Sequence, residues 1–253
     1  MNDRTMWTRL VLIALLAVLP LGAVAQMPQS GADAGLHTLR QPYDIETFGA
    51  FRMLILAGDF SPKVPLGTAM AKAPTTGVGA VAGARGEITI HDGKLIVSHG
   101  RQEAHPAPEA ENAGLLTTGK VSAWQAINVG HDVAPIDIES FLSLSAAQHG
   151  LNPQGPFPFQ IRGTLASFVM HVNAAPTNGA HGMGQPIAIT VETKGDTLAG
   201  EVAGFYVSPD LVGIVSHGGQ RTHSHWIAPD GSATAHLNSW GLKAGSVLLL
   251  PKP

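Results

Sequence analysis

Cysteine is absent from the 253 residues. Neither disulfides nor thiolate ligands are available, so any metal must be held by histidine and carboxylate. That donor set points to zinc, with another divalent ion as the alternative. Charge is also scarce: charged residues make up 13% of the chain and the net charge is -3. No electrostatic footprint for nucleic acid exists. Apolar runs long enough to span a bilayer are missing too. The one extended run, Leu10 to Leu21, follows Arg4 and Arg9 and precedes Ala23-Val24-Ala25, the layout of a cleaved secretory signal. Residues 1–25 are expected to be a signal peptide and Gln26 the mature N-terminus. The reading is an exported bacterial protein, periplasmic or extracellular, free of the membrane after cleavage.

What the chain has in quantity is glycine (30), proline (18) and histidine (12). Such a composition suits turn-rich β structure with rather little helix. The expected class is α+β, two mainly antiparallel or mixed sheets with few helices. Pro153-Gln154-Gly155-Pro156 breaks the chain. We take it as the boundary between an N-terminal β-rich half, 26–152, and a C-terminal one, 153–253.

The most informative stretch runs from His223 to His236. His223 and His225 are two apart, so on a strand they share a face. Asp230-Gly231 is a strong two-residue hairpin signal, because a type I′ turn needs positive φ at both central positions. Cross-strand partners then have numbers summing to 461, which sets His236 opposite His225 on the same face. Three neutral imidazoles on one face are the protein half of a catalytic tetrahedral metal site, its fourth position open to water or substrate.

Elsewhere the periodicity is coarser. Apolar residues from Ile45 to Ala57 recur every three or four positions, predicting a short amphipathic helix closed by Gly58. Residues 61–76 read as loop. Ile88 and Ile90 alternate with Leu95 and Val97 around Asp92-Gly93, a second hairpin. A strand is expected over Val121 to Ile127. A helix is expected from Ile136 to His149, with Ile136, Ile138, Phe141, Leu142 and Leu144 inward and Gly150 as its stop. Phe157 to Val172, Ile187 to Val191, Gly200 to Val207 and Ser246 to Leu250 read as strands. Asn173 to Gln185 is a loop able to cover a site, with His181 in solvent. By spacing alone Glu87 is a solvated residue at a strand mouth, and Arg162 a cation at a sheet edge.

Four blocks in order resemble the α-acetolactate decarboxylase family: Gly77 to Gly93 with its Gly-x-Gly, Gly-Glu and Asp-Gly elements, Phe157 to Gly163, Gly200 to Pro209, and the three histidines without a gap. The resemblance spans about residues 75 to 250. It implies that His223, His225 and His236 hold zinc, that Glu87 is the carboxylate beside the metal and that Arg162 is the cation meeting the substrate. It further implies conversion of acetolactate to acetoin and CO2, and commonly a homodimer. In the family a C-terminal tail brings a second glutamate into the site. Here seventeen residues follow His236 and none is acidic, which reads as a shortened member.

Three alternatives share parts of this pattern. An exported zinc-binding protein of the same fold could have another activity or none. The plant and prokaryote conserved domain also carries His-x-His, with its third histidine usually farther on. Cupins place a glutamate shortly after the pair, where Trp226 to Ser232 offers only Asp230. A structural β-protein with incidental histidines is the remaining possibility.

Overall fold

The computed structural model describes residues 37–39, 43–101, 104–175 and 190–253. The expected signal peptide, and most of the expected covering loop with His181, lie outside them. Among the described residues the architecture is the expected α+β one: two antiparallel sheets and three short α-helices.

The first sheet contains β1 (His37–Leu39), β2 (Ile45–Phe48), β3 (Val64–Pro65), β4 (Thr76–Val81), β5 (Gly86–His91), β6 (Lys94–His99) and β7 (Asn112–Gly119). Its order is β1-β2-β7-β4-β5-β6, with β3 also on β7. The hairpin between β5 and β6 forms as expected: His91 pairs with Lys94, and Asp92 and Gly93 both adopt positive φ (48° and 76°). That is the two-residue turn that the dipeptide favours. Gly79 on β4 lets the sheet close, since a Cβ there would lie 2.1 Å from the Leu115 carbonyl oxygen on β7.

Two expectations in this half need correction. The residues from Ile45 do not form one helix. Ile45–Phe48 is a strand with alternating burial, Gly49 turns the chain at φ +81°, and only then does α1 (Phe51–Ala57) begin. Its stop is as expected, with Gly58 at φ 61° and its N–H bonded to the Met53 carbonyl. Residues 61–76 are not all loop, for β3 and α2 (Leu66–Met70) lie within them. Leu66 is fully buried in a small core with Ile88, Ile90 and Leu116, and that burial fixes the helix where composition suggested irregular chain.

The second sheet contains β8 (Trp124–Asn128), β9 (Phe157–Asn173), β10 (Thr190–Tyr206), β11 (Thr222–Ile227), β12 (Thr234–Leu242) and β13 (Val247–Pro251), in the order β10-β11-β12-β9-β13-β8. β9 and β10 are 17 residues each and pair along almost their whole length. This ribbon also flanks the β11–β12 hairpin on both sides, β10 against β11 and β9 against β12. The last strand of the first sheet ends at Gly119 and the first of the second begins at Trp124, and residues 32–253 form one compact unit.

Helix α3 (Ile138–Gln148) buries Ile138, Leu142 and Ala146, one per turn. Ile136 and Leu144, expected inward, are 87% and 62% exposed. The helix starts two residues later than the apolar pattern suggests, after a 3-10 turn at Pro135–Asp137, so Ile136 precedes it and Leu144 falls on the opposite face. The main core joins the fully buried Phe157, Phe159, Phe205 and Ile161 to Tyr43, Ile45 and Val78 of the first sheet. Each such aromatic contributes roughly 2–3 kcal/mol by leaving water. This apolar mass joins the two sheets.

Candidate metal centre

The pairing of β11 with β12 follows the sum of 461: His225 lies opposite His236, Trp226 opposite Ala235 and Ile227 opposite Thr234. The turn itself differs from expectation. Asp230 does not adopt positive φ, whereas Gly231 does, at 71°. The Gly231 N–H bonds to the Ala228 carbonyl, the Ala228 N–H bonds to the Ala233 carbonyl, and the Asp230 carboxylate accepts from the Ser232 N–H and hydroxyl. Pro229 in the turn favours this four-residue loop, because its fixed φ suits the first central position of an ordinary turn. A four-residue loop centred on the same point as a two-residue one leaves the register unchanged.

His223, His225 and His236 are buried, at 2%, 0% and 4% exposure. His223 Nε2 lies 3.2 Å from His225 Nε2, and His236 Nδ1 lies 3.3 Å from the same atom. Around a tetrahedral zinc with Zn–N of about 2.0–2.1 Å, ligand nitrogens sit about 3.3–3.4 Å apart. The donor set and both of these spacings suit a zinc ion. Burial first, then the neighbouring imidazoles, push all three well below the ordinary histidine value. They are neutral near pH 7, the state in which a ring nitrogen can bind a cation.

A hydroxyl chain fixes the central ring. Thr234 donates to the Trp226 carbonyl (2.8 Å), and Thr89 on β5 lies 2.6 Å from the Thr234 hydroxyl oxygen. Thr89 therefore donates to Thr234, and its own oxygen accepts from His225 Nδ1–H at 3.0 Å. That leaves the His225 Nε2 lone pair facing the other two rings. The chain also ties the first sheet to the second at the site.

Glu87, two residues before Thr89, projects from the same face of β5. It is 2% exposed, with Oε2 at 3.7 Å from His225 Nε2 and Oε1 accepting the Asn173 N–H at 3.0 Å. Burial pushes its carboxyl up to about 8. The structure thus brings Glu87 to the triad, although strand spacing alone had it in solvent.

Arg162 is not brought there. It is half exposed on β9, nine residues before the site end of that strand, and pairs with Asp92 (3.2 Å) and Glu201 (3.5 Å). In register it stands across from Glu201, which in turn stands across from Ile227, two residues beyond His225. It is absent from the cavity beside the triad. The reason is local: Glu201 stands directly across from it on β10 and Asp92 meets it from the β5–β6 turn, so its charge is already paired.

Two residues that sequence reasoning passed over do reach the site. His171 on β9 is the register partner of His236, so the three adjacent strands carry a row of His225, His236 and His171. Its Nδ1–H donates to Asn238 Oδ1 at 2.8 Å, and its Nε2 lies 3.8 Å from Glu87 Oε1. His217 packs on Phe51 with ring centroids 4.2 Å apart and meets His236 at 5.2 Å. The pairing of β9 with β12 joins residues 65 apart, and no local pattern announces it. His217 sits in the irregular stretch before β11.

A cavity of about 220 Å³ opens on the triad. Phe51 and Leu54 of α1, Phe60 and Leu115 supply apolar walls, and Glu87, His171, His217, His223 and His236 supply polar ones. Among the described residues neither lysine nor arginine lines it, and Glu87 is the only carboxylate that does. Helix α1 is pinned over it by its first two amides, which bond to the carbonyls of Ile214 and Gly213.

The sequence from residue 50 to 250 matches the family model described as alpha-acetolactate decarboxylase. The chain belongs to that family. Acetolactate decarboxylase from Bacillus subtilis strain 168 superposes with a TM-score of 0.65 at 16% identity, over 81% of this chain and 83% of that one. The enzyme from B. subtilis subspecies spizizenii gives 0.64 at 15%, over 81% and 84%. A Staphylococcus aureus protein of unknown function, similar to alpha-acetolactate decarboxylase, gives 0.61 at 15%, over 81% and 83%. These likenesses extend through both sheets and establish the decarboxylase fold. No curated protein sequence matches the chain.

Proposed function

We propose that this chain is a zinc-dependent decarboxylase of a small 2-hydroxy-3-oxo acid, converting acetolactate to acetoin and CO2. The observation that carries the reading is the convergence, in one cavity of a decarboxylase-family chain, of three imidazoles at zinc spacing with one buried carboxyl.

His223, His225 and His236 would hold the ion. A divalent cation there supplies Lewis acidity, polarising the carbonyl next to the breaking bond and easing the negative charge left as CO2 departs. The remaining work falls to the chain. The bond from the carboxylate to C2 breaks, its electrons pass towards the adjacent carbonyl, and one proton must be returned to carbon. Glu87 is the proton source: burial raises its carboxyl to about 8, and a neighbouring positive charge draws it back towards neutrality, where a general acid works best. The Asn173 N–H holds one of its oxygens in place. His171, oriented by Asn238, offers its Nε2 lone pair to a substrate hydroxyl. Phe51, Leu54, Phe60 and Leu115 keep water away, which strengthens each of these interactions.

A second reading rests on the missing cation. Among the described residues the cavity walls hold no lysine or arginine to pair with a free carboxylate, which suits a metal-binding member with another substrate. Supplying acetolactate to the zinc-loaded chain and following CO2 and acetoin separates the two. Stoichiometric release of both supports the first, and tight zinc binding without release supports the second.

A further inference from the structure

On the other face of the β5–β6 hairpin lies a second group of metal-ligating side chains. Glu87 pairs with Ser98 and faces the triad, so the adjacent pair, Gly86 and His99, faces away from it. His99, His105 and Glu111 gather there, with one ligand atom of each within 4.8 Å of the others. Gly86 makes the room, since a Cβ at that position would lie 2.9 Å from His99 Nδ1.

The ring tautomers are the ones a cation would need. His99 Nδ1 lies 3.1 Å from the Arg85 carbonyl oxygen, so that nitrogen carries the proton and Nε2 is left with its lone pair. His99 Nε2 points at Glu111 Oε1, 3.4 Å away. His105 Nε2 donates to the Arg101 carbonyl at 3.2 Å, leaving Nδ1 as its acceptor. Both rings thus follow the pattern of a ligating imidazole whose far nitrogen is tied to a backbone carbonyl. Glu111 is 2% exposed, and its Oε1 has no hydrogen-bond partner, an expensive condition for a buried carboxylate oxygen. The other oxygen, Oε2, faces the Arg85 guanidinium at 3.6 Å.

We propose that His99, His105 and Glu111 form a second divalent-cation site, of zinc type, independent of the triad. Two imidazoles, one carboxylate oxygen and a water complete the common four-coordinate set. The imidazoles are stacked, with centroids 3.4 Å apart and planes within 6°. To converge on an ion the His105 ring tilts out of that stack, which its place on the irregular stretch before Pro106 permits. A bound ion would clamp the end of β6 to the segment leading into β7.

The test is metal stoichiometry of the full chain, loaded with zinc, freed of excess by gel filtration and measured by mass spectrometry. About two zinc ions per chain are expected in the unmodified protein, and about one in each of His105→Ala, Glu111→Gln and His225→Ala. His105 is partly exposed, so its removal leaves the core intact, and circular dichroism checks the fold of all three. Unchanged zinc content in His105→Ala overturns the proposal. So does a single zinc in the unmodified protein that His225→Ala abolishes. If instead His225→Ala keeps full content while His105→Ala loses an ion, the triad reading fails and the second site stands.

Discussion

Replacing Glu87 with glutamine should stabilise the metal-free protein as it abolishes the proposed chemistry. In the folded chain the carboxyl titrates at about 8, against 4.5 in its ordinary state. Between those values the native state binds a proton that the unfolded chain has released. Unfolding free energy therefore falls as pH rises through this window and levels off above it. The difference of 3.5 sets a ceiling of about 5 kcal/mol on what the group costs at pH 8 and above. Glutamine keeps an oxygen for the Asn173 N–H and never ionises, so it removes that cost. For a chain of this length 1 kcal/mol moves Tm by about 2–4 °C, so the variant should melt roughly 5–15 °C higher at pH 8. At pH 4.5 the two proteins should nearly coincide. The assay is paired thermal denaturation with a chelator present, at intervals from pH 4.5 to 8.5, read as the difference between variant and parent so that other titrating groups cancel. Zinc should shrink the difference, because a cation beside the carboxylate favours its ionised form and lowers the cost of burying it. A difference that stays flat across this range, or a variant less stable at pH 8, would refute the placement of Glu87 in a dry site.

Other outcomes follow from the same geometry. His225→Ala should lose the triad ion, because two imidazoles make a poor zinc site; zinc content and affinity measure it. Thr89→Val removes the hydroxyl that orients His225 and should weaken zinc binding about 10–100-fold while leaving the triad in place. In the metal-free protein the three ligand imidazoles resist protonation, whereas unfolded ones accept protons below about 6.5, so their contribution to stability should be lost as pH falls through that value. His236→Gln should flatten that slope in acid titrations followed by fluorescence. Arg162→Ala should change zinc content and any turnover by less than about twofold, since its charge is committed to Asp92 and Glu201 outside the cavity.

The triad was legible because everything it needs is local. Strand parity set His223 and His225 on one face, and the midpoint of the turn set His236 opposite His225, even though Pro229 widened the loop from two residues to four. The Asp92-Gly93 turn was legible for the same reason. What the sequence concealed depends on distant pairing. His171 joins the site only because β9 lies beside β12, and Glu87 becomes buried only because β5 meets β12 of the other sheet, where Thr89 bonds Thr234 and His225. Arg162 illustrates the converse: a family block supplied the residue type, but the ribbon aims that position at Glu201 and solvent. Period-based reading also merged β2 with α1, since a positive φ at Gly49 splits a pattern whose apolar spacing alone suits a helix.

Adding acetolactate to the zinc-loaded chain, and measuring CO2 and acetoin over time, tests the central claim most directly. The account predicts equimolar release of both, lost in His225→Ala and in Glu87→Gln although the latter still binds zinc. Full zinc occupancy of the triad with no release above the rate of the uncatalysed reaction would contradict it.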